Sequence, residues 1–287
     1  MSGINLSGQH IAKTTKLFIN GEFPRTESGR SYPVTLKDND QIYTHLCQAS
    51  RKDLRGAVEV ALAALPGWSK RTAYNRAQIL YRMAEMLEGK RAEFTGTMEK
   101  VFGLSSQEAT TALDESVSTL VYYAGFADKF SQVMASVNPV SGSFHNFTTP
   151  EPVGVVGMIY DKRFNLPEFI AQISSVICSG NTMIIIFDKP GAALLSEMGE
   201  VFKTSDLPGG VINLLSGQVS ELHSHMGQHM EVQSLMYVGD NTETLAAIKE
   251  MAIENMKRVV PWNFKNCDLS PIVAFTESKT IWHPVGL

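Results

Sequence analysis

Two near-continuous apolar runs, PVGVVGMIY at 152–160 and NTMIIIF at 181–187, limit what this chain can fold into more than any other feature. A strand that is apolar on both sides must be covered on both faces, as in a parallel sheet held between helix layers. Between the runs, Leu166 to Ser179 carries apolar residues at helical spacing, so the stretch reads as a βαβ unit. The alternation continues with a helix near Ala192 to Lys203, strand GVINLL, a helix near Val219 to Gly227, strand SLMYV, a helix from Thr242 to Glu254 and strand KRVV. The predicted fold class is α/β, a doubly wound, Rossmann-like parallel sheet.

The rhythm upstream is different. KLFINGEFPRTESGRSYPV alternates around Asn20-Gly21, a pair suited to tight reversal, and predicts a small N-terminal hairpin. From Arg51 to Phe130 apolar residues recur every three or four positions, as in Leu54, Val58, Ala61 and Leu62. This predicts three or four amphipathic helices, broken near Pro66-Gly67 and Gly103. Pro139 to Pro152, rich in Pro, Ser, Thr and Gly, reads as the divider between this arm and the sheet. The expected organisation is a hairpin and helical arm over 1–149 packing on an α/β core over 150–287, together one domain.

Composition narrows the function. Of 287 residues 44% are hydrophobic and 19% charged, the balance of a globular protein. A net charge of -4 gives no electrostatic reason to approach nucleic acid or anionic lipid. No apolar run reaches the length of a secretory signal or a membrane span, so the cytoplasm is the expected location. Cys47, Cys178 and Cys267 are too scattered for a disulfide framework or a zinc site. His223, His225 and His229 share a helical stretch without an acidic or cysteine ligand spaced to close a metal site, and no metal is expected.

No G-x-G-x-x-G occurs, although a doubly wound sheet still offers a crevice at the carboxyl ends of its strands. The segments GWSKRTAYNRAQILYRMAEMLEGKRAEF, YYAGFADKF, EPVGVVGMIY, SGNTMIII and SDLPGGVINLLSG resemble, in order and spacing, the cofactor-binding half of the aldehyde dehydrogenase superfamily. The resemblance runs over roughly residues 16 to 260. It implies a cysteine nucleophile, an asparagine and a backbone N–H holding an oxyanion, a glutamate base, and NAD(P) as hydride acceptor.

Residue by residue, the resemblance also marks departures. Tyr160-Asp161-Lys162-Arg163-Phe164 stands where the family has Pro-Trp-Asn-Phe, so Arg163 takes the place of the oxyanion asparagine. Ile186 stands at the lysine that bonds the cofactor ribose. Tyr237-Val238-Gly239-Asp240 replaces the turn under the pyrophosphate, which sets the Asp240 carboxylate where a diphosphate would sit. Trp262 stands at the general base, and the PWNF at 261–264 is a coincidence in the wrong place. The family's nucleophile would fall beyond Leu287, so the catalytic domain is expected to be absent.

These departures imply a vestigial cleft formed by Tyr160, Arg163, Ile186, Lys189, Gly217, Gly239 and Asp240, with no catalytic residue among them. Gly217 fits either a phosphate approach or a plain turn. Arg163 and Lys189 could serve as anion contacts for some other small ligand. The expected function is that of a pseudoenzyme, a structural or regulatory subunit with no cofactor of its own. It most resembles the degenerate second module of two-module aldehyde dehydrogenases. The alternative is an NAD(P)-dependent aldehyde dehydrogenase subunit whose nucleophile comes from a partner chain. Expected partners are a full-length aldehyde dehydrogenase or a second copy of this chain.

Overall fold

Five parallel strands make the centre of the computed structural model, which describes residues 13–39, 41–188, 190–264 and 267–286. They are β6 (Val155–Asp161), β7 (Thr182–Phe187), β8 (Ile212–Ser216), β9 (Ser234–Gly239) and β10 (Arg258–Pro261), in the order β10-β9-β6-β7-β8. Four of the five are buried along nearly their whole length, which is why their sequences do not alternate. The chain moves outward from β6 through β7 to β8, then returns to place β9 on the other side of β6. The topological switch point therefore lies between β6 and β9.

Both faces are covered. On one lie α6 (Leu166–Cys178) and α7 (Leu195–Thr204), backed by α2 (Ala73–Gly89) and α4 (Ser106–Phe126). Met158, Tyr160, Ile185, Phe187, Met236 and Val238 point into this layer. On the other face lie α1 (Arg51–Ser69), α8 (Val219–Gln228) and α9 (Thr242–Ile253), over Val155, Ile159, Ile184, Ile186, Leu215, Leu235 and Tyr237. Successive strand residues thus serve opposite cores. Helix α3 (Arg91–Phe102) ends at Gly103, whose φ of 68° is the left-handed C-cap that the sequence break there requires.

Helix α1 corrects the reading at Pro66-Gly67, because it continues through both residues to Ser69. The last turn holds because Trp68 is buried and its Nε1 donates to the Ile177 carbonyl at 3.0 Å. Arg76 seals the junction. Its Nε donates to Cys178 O at 2.9 Å and its Nη1 to the Arg71 carbonyl at 2.6 Å.

At the N-terminal side, Asn20 (φ 57°) and Gly21 (φ 73°) form the expected two-residue reversal, with Ile19 and Glu22 exchanging backbone hydrogen bonds at 3.0 Å. The hairpin docks on the edge of the parallel sheet through Phe18 and Leu214. A separate sheet, ordered β1-β3-β2, is built from β1 (Lys13–Thr15), β2 (Ser31–Thr35) and β3 (Ile42–Cys47).

The stretch from Pro139 to Pro152 is not a plain divider. Most of it is β5 (Phe144–Pro152), flanked by β4 (Ser136–Asn138) after the short α5 (Phe130–Met134). Its other neighbour is β11 (Thr276–Pro284), which follows α10 (Ser270–Ala274) and pairs antiparallel with β5 over nine residues, from Thr276 opposite Pro152 to Pro284 opposite Phe144. Partners so distant in sequence leave no local trace, and Pro and Thr disguise the strand. The boundary expected at 149/150 falls inside β5. No helix among the described residues is long and apolar enough to cross a membrane.

Candidate functional site

At the switch point the last residues of β6 and β9, Asp161 and Gly239, are direct neighbours in the ladder. Both belong to the face covered by α8 and α9. Two residues below Gly239, the buried Tyr237 turns its ring upward. Its hydroxyl donates to Asp161 Oδ2 at 3.1 Å and lies 3.2 Å from the Asn241 carbonyl. Burial, reinforced by the Asp161 charge, pushes the Tyr237 phenol up to about 12, so it remains a donor at any ordinary pH. Burial also raises the half-buried Asp161 carboxyl, and Asp188 at the end of β7 adds to that rise. The Tyr237 hydrogen bond and His223 of α8 oppose it.

Gly239 has a packing reason to be glycine. A Cβ built there would sit 2.6 Å from Tyr237 Oη and 2.9 Å from Asp161 O. Gly217 has another, because a Cβ would come within 2.9 Å of Leu222 Cδ1 and 3.6 Å of Ala49 Cβ. Its N–H is spent on Phe187 O at 3.0 Å. Side chains of the protein itself fill the close approaches at both glycines.

The remaining sequence-predicted residues scatter. Ile186 is wholly buried, on the same face as Tyr237 but in the core under α1 and α8. Tyr160 points to the opposite face, into an aromatic box with Phe164, Phe169 and Phe187 at centroid distances of 5.1 to 6.3 Å. Its hydroxyl accepts from Asn165 N at 3.1 Å. The exposed Arg163 reaches away from the strand ends, toward the Phe102 carbonyl at the end of α3 (3.5 Å), on the side where Glu108 lies. Asp240 is exposed. Lys189 lies outside the described residues.

Two helix N-termini beside the crevice are already capped. Asn165 Oδ1 accepts from Glu168 N at 2.9 Å in α6, and Asn241 Oδ1 accepts from Glu243 N and Thr244 N at 3.0 and 3.1 Å in α9. An anion would have to displace these caps to use the helix ends. Lys162, the cation nearest the end of β6 in sequence, is paired with Glu168 at 2.7 Å. Charge presented at the switch point among the described residues is therefore mainly carboxylate.

Chemistry elsewhere at the strand ends is equally restrained. Trp262 follows β10, donates its backbone N–H to Tyr237 O at 2.8 Å and stacks its ring edge-on against Phe264. Beside it a cavity of about 600 Å³ runs between α4 and α6, lined in part by Thr119, Glu168 and Cys267. The exposed Cys267 has the Thr119 hydroxyl 3.6 Å from its sulfur, and among the described residues no base hydrogen-bonds to it. Cys178 is a core residue whose thiol burial pushes up to about 12. No three metal-ligating side chains converge among the described residues.

In the sequence Asp161 and Tyr237 are ordinary members of two substituted stretches. The available signal was positional, a carboxylate ending one switch-point strand and a phenol two residues before the end of the other. His223, on the helix that the sequence marks as a surface element, favours the charged form of Asp161.

A profile described as the aldehyde dehydrogenase family matches residues 23–261. The mouse protein named retinal dehydrogenase 2 is 33% identical over 253 residues, covering 86% of this chain and 48% of its own. An Arabidopsis thaliana protein named aldehyde dehydrogenase family 2 member B4, mitochondrial, is 27% identical over 92% of this chain and 48% of its own. A solved aldehyde dehydrogenase from Bacillus cereus, titled as an NAD+ complex, superposes with a TM-score of 0.82 at 26% identity, over 86% of this chain and 50% of that one. The chain spans about half the length of the relatives it matches. Matched over most of its own length in both sequence and fold, it belongs to the aldehyde dehydrogenase family.

Proposed function

We propose that this chain is a non-catalytic member of its family, a structural or regulatory subunit whose strand-end crevice takes no NAD(P). The observation that carries this reading is the Tyr237–Asp161 hydrogen bond across the switch point. A dinucleotide placed there would have to expel the phenol and bring its diphosphate against Asp161 and Asp240, and like charges oppose that approach. Ile186 supplies hydrocarbon where the resemblance calls for a ribose-binding ammonium, and Trp262 supplies an indole where it calls for a carboxylate base. The residues present do not fit the cofactor, so no hydride step is assigned to them. The free thiols of Cys47, Cys178 and Cys267 favour a reducing compartment, and we assign the subunit to the cytoplasm.

A subunit of this kind acts by binding protein. The arm of β4, β5 and β11 supports that role, with Val137, Phe144, Ile281 and Trp282 all exposed on one small sheet. Its partner is either a full-length aldehyde dehydrogenase or a second copy of this chain.

Calorimetric titration with NAD+ and with NADP+ tests the crevice. The expected result is no heat at millimolar cofactor. Micromolar binding would overturn the reading and favour a second one, an NAD(P)-dependent subunit completed by a partner's nucleophile, which the NAD+ complex of the Bacillus cereus relative recommends. In that case mixing with the partner restores aldehyde-dependent NAD(P) reduction.

A further inference from the structure

We infer that the groove between α1 and α8 binds a soluble phosphate monoester, held by Arg51 and Arg55 on one wall and by His225 and His229 on the other. This site is separate from the strand-end crevice and does not depend on what that crevice takes.

The groove encloses about 580 Å³, and all four side chains line it. Its walls match because each helix presents two residues one turn apart, Arg51 with Arg55 and His225 with His229. Arg51 lies near enough to His225, and Arg55 to His229, to disfavour a charge on the ring it faces. Donors therefore confront donors.

The carboxylates bordering the groove are engaged elsewhere. Glu221 is held by Arg30 Nη2 at 2.7 Å and by Gln48 Nε2 at 3.2 Å. Glu27 takes Lys52 Nζ at 3.4 Å and the Ser50 hydroxyl at 3.1 Å. Glu59 meets Arg55 at 3.4 Å, but both side chains are 67% exposed, and such a pair yields easily to a stronger anion. Arg51 forms no ion pair among the described residues.

The donor set selects the ligand. Glu221, His225 and His229 stand at the spacing of a metal site, yet no three metal-ligating side chains converge among the described residues. The first N–H groups of α1 are spent on Ser50 Oγ at 3.2 and 3.3 Å, so the side chains must hold the anion. Glu231 N donates to His229 Nδ1 at 3.3 Å, which puts the ring proton on Nε2 and makes even the neutral imidazole a donor. Donors arriving from two walls suit the three oxygens and near-double charge of a phosphoryl group better than one carboxylate.

Burial holds both imidazoles below their ordinary value. At His225, Arg51 and His223 push the same way and Glu221 opposes them. At His229, Lys257 and Arg55 push the same way, against Glu231 and Glu59. A bound dianion offsets the cations, so binding takes up protons and tightens as pH falls.

Calorimetric titration of the full chain with inorganic sulfate, a dianion throughout the range, tests the site against chloride at matched ionic strength. Sulfate affinity should rise about tenfold from about pH 8 to about pH 6, and Arg51→Gln should lower it about tenfold at the lower pH. In proton NMR, sulfate should raise the titration midpoints of His225 and His229, identified through His225→Gln and His229→Gln, while His145 and His283 of the arm stay in place. Glycerol 3-phosphate should compete with sulfate, and vesicles of phosphatidic acid should not retain the chain. Effects that chloride reproduces, unmoved midpoints, or capture by vesicles without competition by glycerol 3-phosphate overturn the inference. NADP+ heat that Arg51→Gln abolishes belongs to this groove and heat that persists belongs to the crevice, so either proposal can fail while the other stands.

Discussion

The hydroxyl of Tyr237 and the carboxylate of Asp161, 3.1 Å apart, bridge the two strands between which a doubly wound sheet would leave its binding crevice. Because a Cβ at Gly239 would stand 2.6 Å from the same hydroxyl, phenol, carboxylate and glycine form one coupled unit.

Tyr237→Phe should destabilise the protein by about 1 kcal/mol, since it leaves a half-buried carboxylate short of a donor. Gly239→Ala should cost about 1–3 kcal/mol through crowding. The double variant should lose less than the sum, because removing the hydroxyl clears part of the space that the new methyl needs. Urea unfolding of all four proteins measures this coupling, and strict additivity would contradict it.

Glu197 offers a test by pH. Its Oε2 is buried without a hydrogen-bond partner among the described residues, while the Thr97 hydroxyl donates to its Oε1 at 3.3 Å. Burial raises this carboxyl above its ordinary 4.5. The folded chain therefore holds the proton more tightly than the unfolded chain, and stability falls as pH climbs from the ordinary value through the raised one. Glu197→Gln should melt higher than the parent at neutral pH, with the difference closing at about pH 4. Thermal scans at both pH values check it.

Lys257 predicts the opposite slope. It is 8% exposed and caps the end of α8 by donating to the His229 carbonyl. Burial pulls its ammonium down to about 8 from 10.5. Between these values the unfolded chain holds a proton that the folded chain has released, so stability should rise with pH across that window. Lys257→Met should flatten the rise, as followed by denaturant midpoints at about pH 7 and about pH 10.

Trp68→Phe should cost about 2 kcal/mol, from a lost buried hydrogen bond and a smaller ring. The Ile177 carbonyl keeps its bond from Gly180 N at 3.0 Å, which prevents a larger loss. Calorimetric melting tests the figure.

The parallel sheet was legible because burial on both faces writes itself into consecutive residues such as Met183 to Phe187, and the covering helices write their own period. Gly103 and Asn20-Gly21 were legible because a left-handed backbone demands particular residues. Pro66 misled because a helix end can be held from outside, here by Trp68 against Ile177. Strand β5 was missed because its partner lies beyond the whole parallel sheet in sequence. The site was legible only as substitutions. Ile186 and Asp240 announced a changed cleft, but sequence could not place Arg163 against α3, Tyr160 in the opposite core, or Tyr237 against Asp161, since each depends on where a side chain turns after the chain has folded.

The pairing of β5 with β11 also sets an order of events. Residues 144–152 leave the ribosome before β6 to β10, and 276–284 after them. The earlier strand must wait with only the short β4 beside it while every parallel strand is made, and loop closure of that span is costly until the sheet has drawn its ends together. The arm should be the last element to acquire protection against hydrogen exchange during refolding, and the first to surrender it in mild denaturant.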